Sequence, residues 1–222
     1  MGKLLPLNGP AADDRCTAML GAIAAAAGEA DRRNGDLSEA AALLRQHGWL
    51  QACLPSKAGG EGRGCTSVGT APALQSLRGP GRANLSLAQL FEGHMNAVKL
   101  VALYGTLSCQ ARVFGEVVDA VLLGVRGAGE VDAPVTLAKV GAEWHAAGTK
   151  RFASGRGLAP HSVITAARPA GGIQPAIVPV NEPARSDPSG WRMPGMRATR
   201  SGAYRMTGVG VAADNLLGPP DA

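Results

Sequence analysis

The chain has 222 residues, of which 45% are hydrophobic and 18% charged, with 31 Gly and 15 Pro. That apolar content supports a packed core and excludes an intrinsically disordered chain. The net charge is +5 and the isoelectric point about 9.3, but Arg192, Arg197, Arg200 and Arg205 are spread through a Gly-rich stretch rather than forming a basic arm. Nucleic acid is therefore not an expected partner, and an anionic small molecule is the softer reading of the excess.

Residues 11–33 are Ala-rich, and Leu20, Ile23 and Ala27 fall at helical spacing. Residues 17–27 imitate a signal-peptide core. However, Asp13 and Asp14 precede them, and the amphipathic pattern continues into Glu29, Asp31 and Arg32, so a helix rather than a leader is predicted. Asn34-Gly35 ends it. Asp36 is placed to cap a second helix, with Glu39 as its capping-box partner, an apolar face of Leu37, Ala40, Ala41 and Leu44, and Gly48 as the stop. Residues 50–64 read as a loop around Pro55 and Gly59-Gly60-Glu61-Gly62. The clearest helix covers residues 85–104, where Leu87, Leu90, Phe91, His94, Met95, Val98 and Val101 form one stripe before Gly105. Another follows over residues 108–121.

Past residue 120 the period shortens. Residues 121–125, 135–140, 162–167, 176–180 and 204–211 are short apolar or alternating runs, most of them separated by Gly, Pro, Asn or Asp. The expected fold class is α+β, a helical domain of residues 1–119 followed by a small antiparallel β-barrel or sandwich of residues 120–222. No window approaches the ~20 apolar residues of a membrane span. Cys16, Cys53, Cys65 and Cys109 form no CxxC pair and have no His at zinc spacing, so no metal site is expected. Reduced thiols of a cytoplasmic protein are.

Nucleophile elbows, Walker loops and G-x-G-x-x-G after a strand are absent, and Met193, Met196 and Met206 read as core fillers. Four local patterns remain, in one order. They are Leu54-Pro55 with Gly59-Gly60-Glu61-Gly62; Gly127-Ala128-Gly129; the run from Gly148-Thr149-Lys150-Arg151 to Phe152-Ala153-Ser154-Gly155; and Gly195-Met196-Arg197-Ala198-Thr199-Arg200-Ser201 with Leu217-Gly218. Together they resemble the acyl-CoA dehydrogenase superfamily: its P-x-x-x-G-G-x-G, T-E-P-G-A-G-S-D, N-G-x-K-x-W-I-T/S and G-x-R-x-S/T stretches.

The resemblance implies FAD as cofactor, an acyl-CoA or related small molecule as substrate, and α,β-dehydrogenation of the thioester as reaction. Phe152 would flank the isoalloxazine ring, Ala153 would offer main-chain contact and Ser154 a hydroxyl. Leu123-Gly124-Val125-Arg126 stands where the family has L-T-E-P. Gly124 thus replaces a flavin-bonding Thr, and only backbone bonds from Leu123 and Gly124 are expected there. Glu130-Val131 replaces the family's Ser-Asp, so a CoA phosphate contact through Ser is not implied.

Members of the superfamily continue into a helical bundle that carries the catalytic base and subunit contacts. The resemblance accordingly implies a truncated or split enzyme, completed by self-association or by a separately encoded C-terminal domain, or else a non-catalytic remnant. No residue is assigned a catalytic role. Glu92 is the nearest acid by helix. His94 has two readings: a core histidine with satisfied nitrogens, or the counterpart of a flavin-proximal His in monooxygenases of the dibenzothiophene-desulfurising type. The Phe-x-Ser-Gly at residues 152–155 also resembles the flavin segment of those monooxygenases, so a flavin-dependent monooxygenase is the alternative function.

Overall fold

The computed structural model describes residues 10–32, 35–129, 133–141 and 143–220. Five α-helices come first: α1 (Pro10–Arg32), α2 (Ser38–Gln46), α3 (Thr70–Ala83), α4 (Leu85–Tyr104) and α5 (Leu107–Val118). Nine short strands follow: β1 (Leu123–Arg126), β2 (Thr136–Val140), β3 (Glu143–Ala147), β4 (Thr149–Lys150), β5 (His161–Ala167), β6 (Ile173–Pro179), β7 (Ser186–Asp187), β8 (Ala203–Arg205) and β9 (Val209–Val211). The α+β reading holds.

Asn34, expected to end α1, lies outside the described residues, as do Glu130 and Val131. Asp36 bonds the amide of Ser38 at 3.0 Å and also its hydroxyl. It thus braces the entry to α2 without a box to Glu39. The helix α4 is organised as its stripe demands. Asn84 caps it by accepting from the Leu87 amide at 3.1 Å, and Leu87, Leu90, Phe91, His94, Met95, Val98 and Val101 are all buried. Twenty apolar-striped residues give a rod roughly 30 Å long, against which α3, α5 and β1 pack.

The helix α3 is a correction, since no helix was expected between residues 65 and 84. Its sequence contains Pro72, Gly79, Pro80 and Gly81, the residues that normally argue against a helix. Pro72 sits in the first turn, where no intrahelical donor is needed, whereas Pro80 lies inside the helix and removes one i→i−4 bond. Ala73, Ser76 and Pro80 form the buried face, so tertiary packing outweighs the poor local propensity.

The strands depart from an all-antiparallel arrangement. The main sheet runs β1-β5-β2-β3-β9, with β6 also on β5. Its β1–β5 pair is parallel, Leu123 opposite His161 through Arg126 opposite Ile164; β2 meets β5 in parallel at one point, Thr136 opposite Ala167. A parallel pair needs a long crossover, here supplied by the β2–β4 excursion. A second sheet runs β4-β8-β7. The single run expected over residues 204–211 is split into β8 and β9 by a turn at Gly208, whose φ is 83°. Met206 is buried in this turn as expected of a core filler, whereas Met193 is exposed.

Two apolar cores result. The larger contains the helices' inner faces and continues into Leu122, Leu123, Leu158, Ala159, Val163 and Ile177. The smaller lies between the two sheets, around Leu137, Ile164, Val178, Tyr204 and Met206. Strand β1 is the seam, because Leu123 faces the first core while Arg126 reaches the Tyr204 ring bordering the second, 4.7 Å from its centroid. Among the described residues, no helix is long and apolar enough to cross a membrane.

Candidate functional site

The middle of α4 sits against β1 through a histidine. His94 is fully buried; its Nδ1 lies 3.1 Å from the Leu123 amide and its Nε2 3.1 Å from the Leu50 carbonyl. An amide can only donate, so Nδ1 is the acceptor and Nε2 carries the proton that goes to Leu50. Phe91 stacks on the ring with centroids 6.4 Å apart. Burial pushes the His94 pKa down to about 4, against the opposing effect of the Leu50 bond. His94 is therefore a neutral core histidine with both nitrogens occupied, in agreement with the first of its two readings. It joins α4, β1 and the turn at Leu50.

Sequence reasoning placed Leu123, Gly124, Phe152, Ala153 and Ser154 at one site, and the structure sets them in two layers. Leu123 and Gly124 lie inward on β1. The Leu123 side chain is buried and its amide is committed to His94. A Cβ on Gly124 would lie 2.7 Å from Ser162 Oγ and 3.4 Å from Ala159 Cβ. Ser162 is the cross-strand neighbour of Gly124, and its buried hydroxyl has no hydrogen-bond partner. A hydroxyl therefore occupies the space beside position 124 after all, supplied by the neighbouring strand. Gly155 is 3.4 Å from the same Ala159 methyl by its Cβ position, which links the inner layer to the outer one.

The outer layer is residues 152–155. Phe152 has φ 52° and is 58% exposed. A bulky residue in the left-handed region is strained, and an exposed aromatic gains no core burial in return. Such strain is typical of ligand sites. Trp191 stands edge-on at 6.2 Å between centroids, and the Arg151 guanidinium is 5.8 Å from the ring centre on another side. Ala153 is buried, its amide bonded to Gly202 O at 2.8 Å. Gly155 has φ 75° and donates to Thr199 O at 2.9 Å; a side chain there would be strained and crowd Leu90.

Ser154 heads a line of hydroxyls. Thr199 Oγ1 donates to Met196 O at 2.8 Å, Ser201 Oγ is 2.7 Å from Thr199 Oγ1, and Ser154 Oγ is 2.7 Å from Ser201 Oγ. Each hydroxyl has one proton. With Thr199 donating to Met196, Ser201 donates to Thr199 and Ser154 to Ser201. Gln89 Nε2 of α4 then donates to Ser154 at 3.3 Å. Ser154 is left with an open lone pair, and the buried Oε1 of Gln89 has no partner at all. The open lone pair of Ser154 thus lies two residues from a strained, exposed aromatic, and the amide that bonds it carries a buried oxygen without a partner.

Two buried cations stand behind this surface. Lys150 Nζ donates to Gly127 O at 2.9 Å and Thr165 Oγ1 at 3.1 Å, and burial pushes its pKa down to about 8. Arg126 has no partner for Nε or Nη1, and burial lowers its pKa to about 10. Among the described residues neither is paired with a carboxylate. Glu92, the nearest acid by helix, is exposed and bonded to Asn96 on the outer face of α4. Gln89, Ser162, Thr199 and Ser201 escaped sequence reasoning; Thr199 and Ser201 fall in the quoted fourth pattern, but nothing in it announces a hydroxyl line. No group of three or more His, Cys, Asp or Glu suited to a metal occurs among the described residues.

The surface thus combines an open hydroxyl acceptor, an exposed aromatic and a glycine-hinged segment. No protein-family model matches the chain. The chain is 27% identical over 205 residues to a dibenzothiophene monooxygenase of Mycolicibacterium goodii, covering 87% of this chain and 48% of that protein. The crystal structure of FMN-bound TdsC from Paenibacillus sp. A11-2 superposes with a TM-score of 0.79 at 26% identity, over 93% of this chain and 53% of that one. Methanesulfinate monooxygenase MsuC from Pseudomonas fluorescens shares the fold with a TM-score of 0.75 at 22% identity, over 93% and 53%. The chain thus spans about half the length of the relatives it matches. Its fold is that of TdsC and MsuC, and the proteins named here that it is similar to are monooxygenases.

Proposed function

We propose that this chain is the flavin-carrying part of a flavin-dependent monooxygenase that uses FMN and oxygenates a small heteroaromatic molecule. In this reading residues 1–119 are a helical domain docked on the flavin-carrying residues 120–222. The observation that carries it is the surface at residues 152–154, where strain exposes Phe152 and Ser154 and Gln89 keep unfilled acceptors. The cofactor is argued from the relatives: TdsC binds FMN, and also indole alongside it. These support FMN in place of the FAD, and oxygenation in place of the acyl-CoA dehydrogenation, that the superfamily resemblance first implied.

In this reading Phe152 and Trp191 flank the ring and keep water from one side of it. Ser154 and Gln89 accept from a ring N–H, and the line through Ser201 and Thr199 fixes the direction in which the Ser154 proton points. Ala153 and Gly155, through their amide bonds to Gly202 and Thr199, hold the segment's path. The flavin, once bound and reduced, supplies the electrons that activate dioxygen. His94 acts at one remove by fixing the Leu123 amide.

The test is a fluorescence titration of the purified chain with riboflavin, FMN and FAD. Quenching with FMN bound more tightly than FAD is expected, lowered in Phe152→Ala. Equal affinity of folded wild type and folded Phe152→Ala would remove the site, and dye reduction dependent on acyl-CoA would restore the dehydrogenase reading.

A further inference from the structure

Beside the 152–154 surface lies a second concavity of about 370 Å³, lined by Arg156, Arg192, Arg197, Arg200, Trp191 and Ser201 among others. Its wall is continuous with the hydroxyl line, since Ser201 is 2.7 Å from Ser154. Trp191 forms a shared partition, being also part of the smaller cavity that contains Phe152. The indole is fixed in place, its Nε1 donating to Met196 O at 2.9 Å.

Local structure brings the guanidinium groups together. Residues Arg197–Thr199 form a 3₁₀ turn closed by Arg200, whose amide bonds Arg197 O at 3.0 Å. Arg197, at the start of this turn, and Arg200, just past its end, both line the cavity. Arg200 is held there at φ 49°, an unfavourable conformation for an arginine. Arg156 enters from the end of the 152–155 segment and Arg192 from the loop beside Trp191.

The nearby acids compensate this group only in part. Asp31 accepts the amides of Gly195 and Arg197 at 2.9 and 3.0 Å, and exerts only a through-space pull on the Arg197 side chain. Asp36 is bonded to Ser38 and also forms an ion pair with Arg200 at 3.9 Å. Asp187 accepts from the Ser189 amide at 2.9 Å. Arg156 and Arg192 have no ion pair among the described residues. Two guanidinium groups without a carboxylate, beside two that are only weakly compensated, favour an anion in the cavity, and planar guanidinium groups match the paired oxygens of phosphoryl groups.

We propose that this arginine-lined pocket binds a phosphoryl group, carried either by the flavin or by the substrate seated on the adjoining surface. The identity of the carrier rests on the flavin reading above; the anion site itself does not.

The experiment uses isothermal titration of this chain with inorganic phosphate, at ionic strength matched with sodium chloride, on wild type, Arg156→Gln, Arg192→Gln and Arg197→Gln. Each substitution should weaken phosphate binding roughly tenfold. Arg192 is exposed, so its variant retains the fold and keeps the test valid if Arg197→Gln does not. Riboflavin and FMN are then compared on the same proteins. If the phosphoryl belongs to the flavin, FMN binds more tightly than riboflavin and the ratio collapses in Arg156→Gln. If it belongs to the substrate, the ratio is the same in wild type and variant while phosphate alone still loses affinity. Phosphate binding that is absent in wild type, or unchanged in all folded variants, overturns the pocket whatever riboflavin does. Failure of riboflavin alone to bind would instead count against the flavin reading and leave the phosphate result standing.

Discussion

The His94 clamp and the Ser154 surface are built from similar parts and end in opposite states. At His94 both ring nitrogens are paired and the ring is buried. At Ser154 the neighbouring Phe152 is strained and exposed, and the acceptor Oε1 of Gln89 is buried without a partner. Polar groups satisfied by the fold serve the fold, whereas polar groups that the fold leaves open need something else to satisfy them. The contrast separates Ser154, which the sequence places at the flavin, from His94, for which the sequence leaves both a core and a flavin-proximal reading.

The sharpest way to break the comparison is His94→Ala. It leaves the Leu123 amide and the Leu50 carbonyl without their shared partner and opens a cavity in the larger core. Buried unsatisfied groups cost about 1–3 kcal/mol each, and a cavity adds to that. Unfolding in urea should show a loss of about 3–5 kcal/mol. In the fraction that folds, riboflavin affinity should move by less than about twofold, because His94 offers no free nitrogen. A full loss of flavin binding with little loss of stability would transfer His94 to the flavin site.

The same histidine gives a pH test of somewhat smaller size. Its pKa is about 4 in the fold, against about 6.5 in an unfolded chain. Between those values the unfolded chain takes up a proton that the folded chain refuses. Stability therefore falls as pH drops from 6.5 towards 4, by about 3 kcal/mol in all. His94→Gln does not titrate, so the difference in unfolding free energy between it and wild type should shrink on acidification. A constant difference across the window would mean that His94 is accessible to protons in the fold.

These residues also mark how far the sequence was legible. The helix α4 was readable in full because its buried positions recur every third or fourth residue and a single long stripe has one solution. The helix α3 was not, because Pro72 is tolerated by its place in the first turn and Pro80 only by the packing of its buried face. The parallel pairing of β1 with β5 depends on a partner strand far along the chain, and no local period encodes it. At the site, Phe152 and Ser154 were legible through a family pattern. Gln89 and Ser162 reach the site from other elements, and a lone Gln or Ser carries no signal until those elements are packed.

Phe152→Gly sharpens the other side of the comparison, because stability and binding should change in opposite directions. Gly accepts φ 52° without the cost of a Cβ, so the fold should gain about 1 kcal/mol. Flavin affinity should fall about tenfold with the aromatic contact gone. Paired urea unfolding and riboflavin titration read both. A variant that is less stable and binds flavin as well as wild type would show that Phe152 is ordinary surface.

The smallest expected effect is the most specific. Ser154→Ala removes the head of the hydroxyl line and one acceptor, a loss of about 0.5–1.5 kcal/mol, or several-fold in flavin affinity. Ser201→Ala leaves the Ser154 oxygen in place but removes the group that takes its proton. Ser154 would then be free to turn that proton towards Phe152 O, 3.3 Å away, or towards a ligand. A ligand that donates to Ser154 should be weakened by both changes, because an outward proton meets an N–H head-on. A ligand that accepts from Ser154 should be weakened by Ser154→Ala and strengthened by Ser201→Ala. Riboflavin titrations of the two variants, oxidised and chemically reduced, distinguish these cases. The acceptor role deduced from the proton count at Thr199 predicts weakening in both variants, more for Ser154→Ala. Tighter binding in Ser201→Ala would show that the line runs the other way and that Ser154 is a donor.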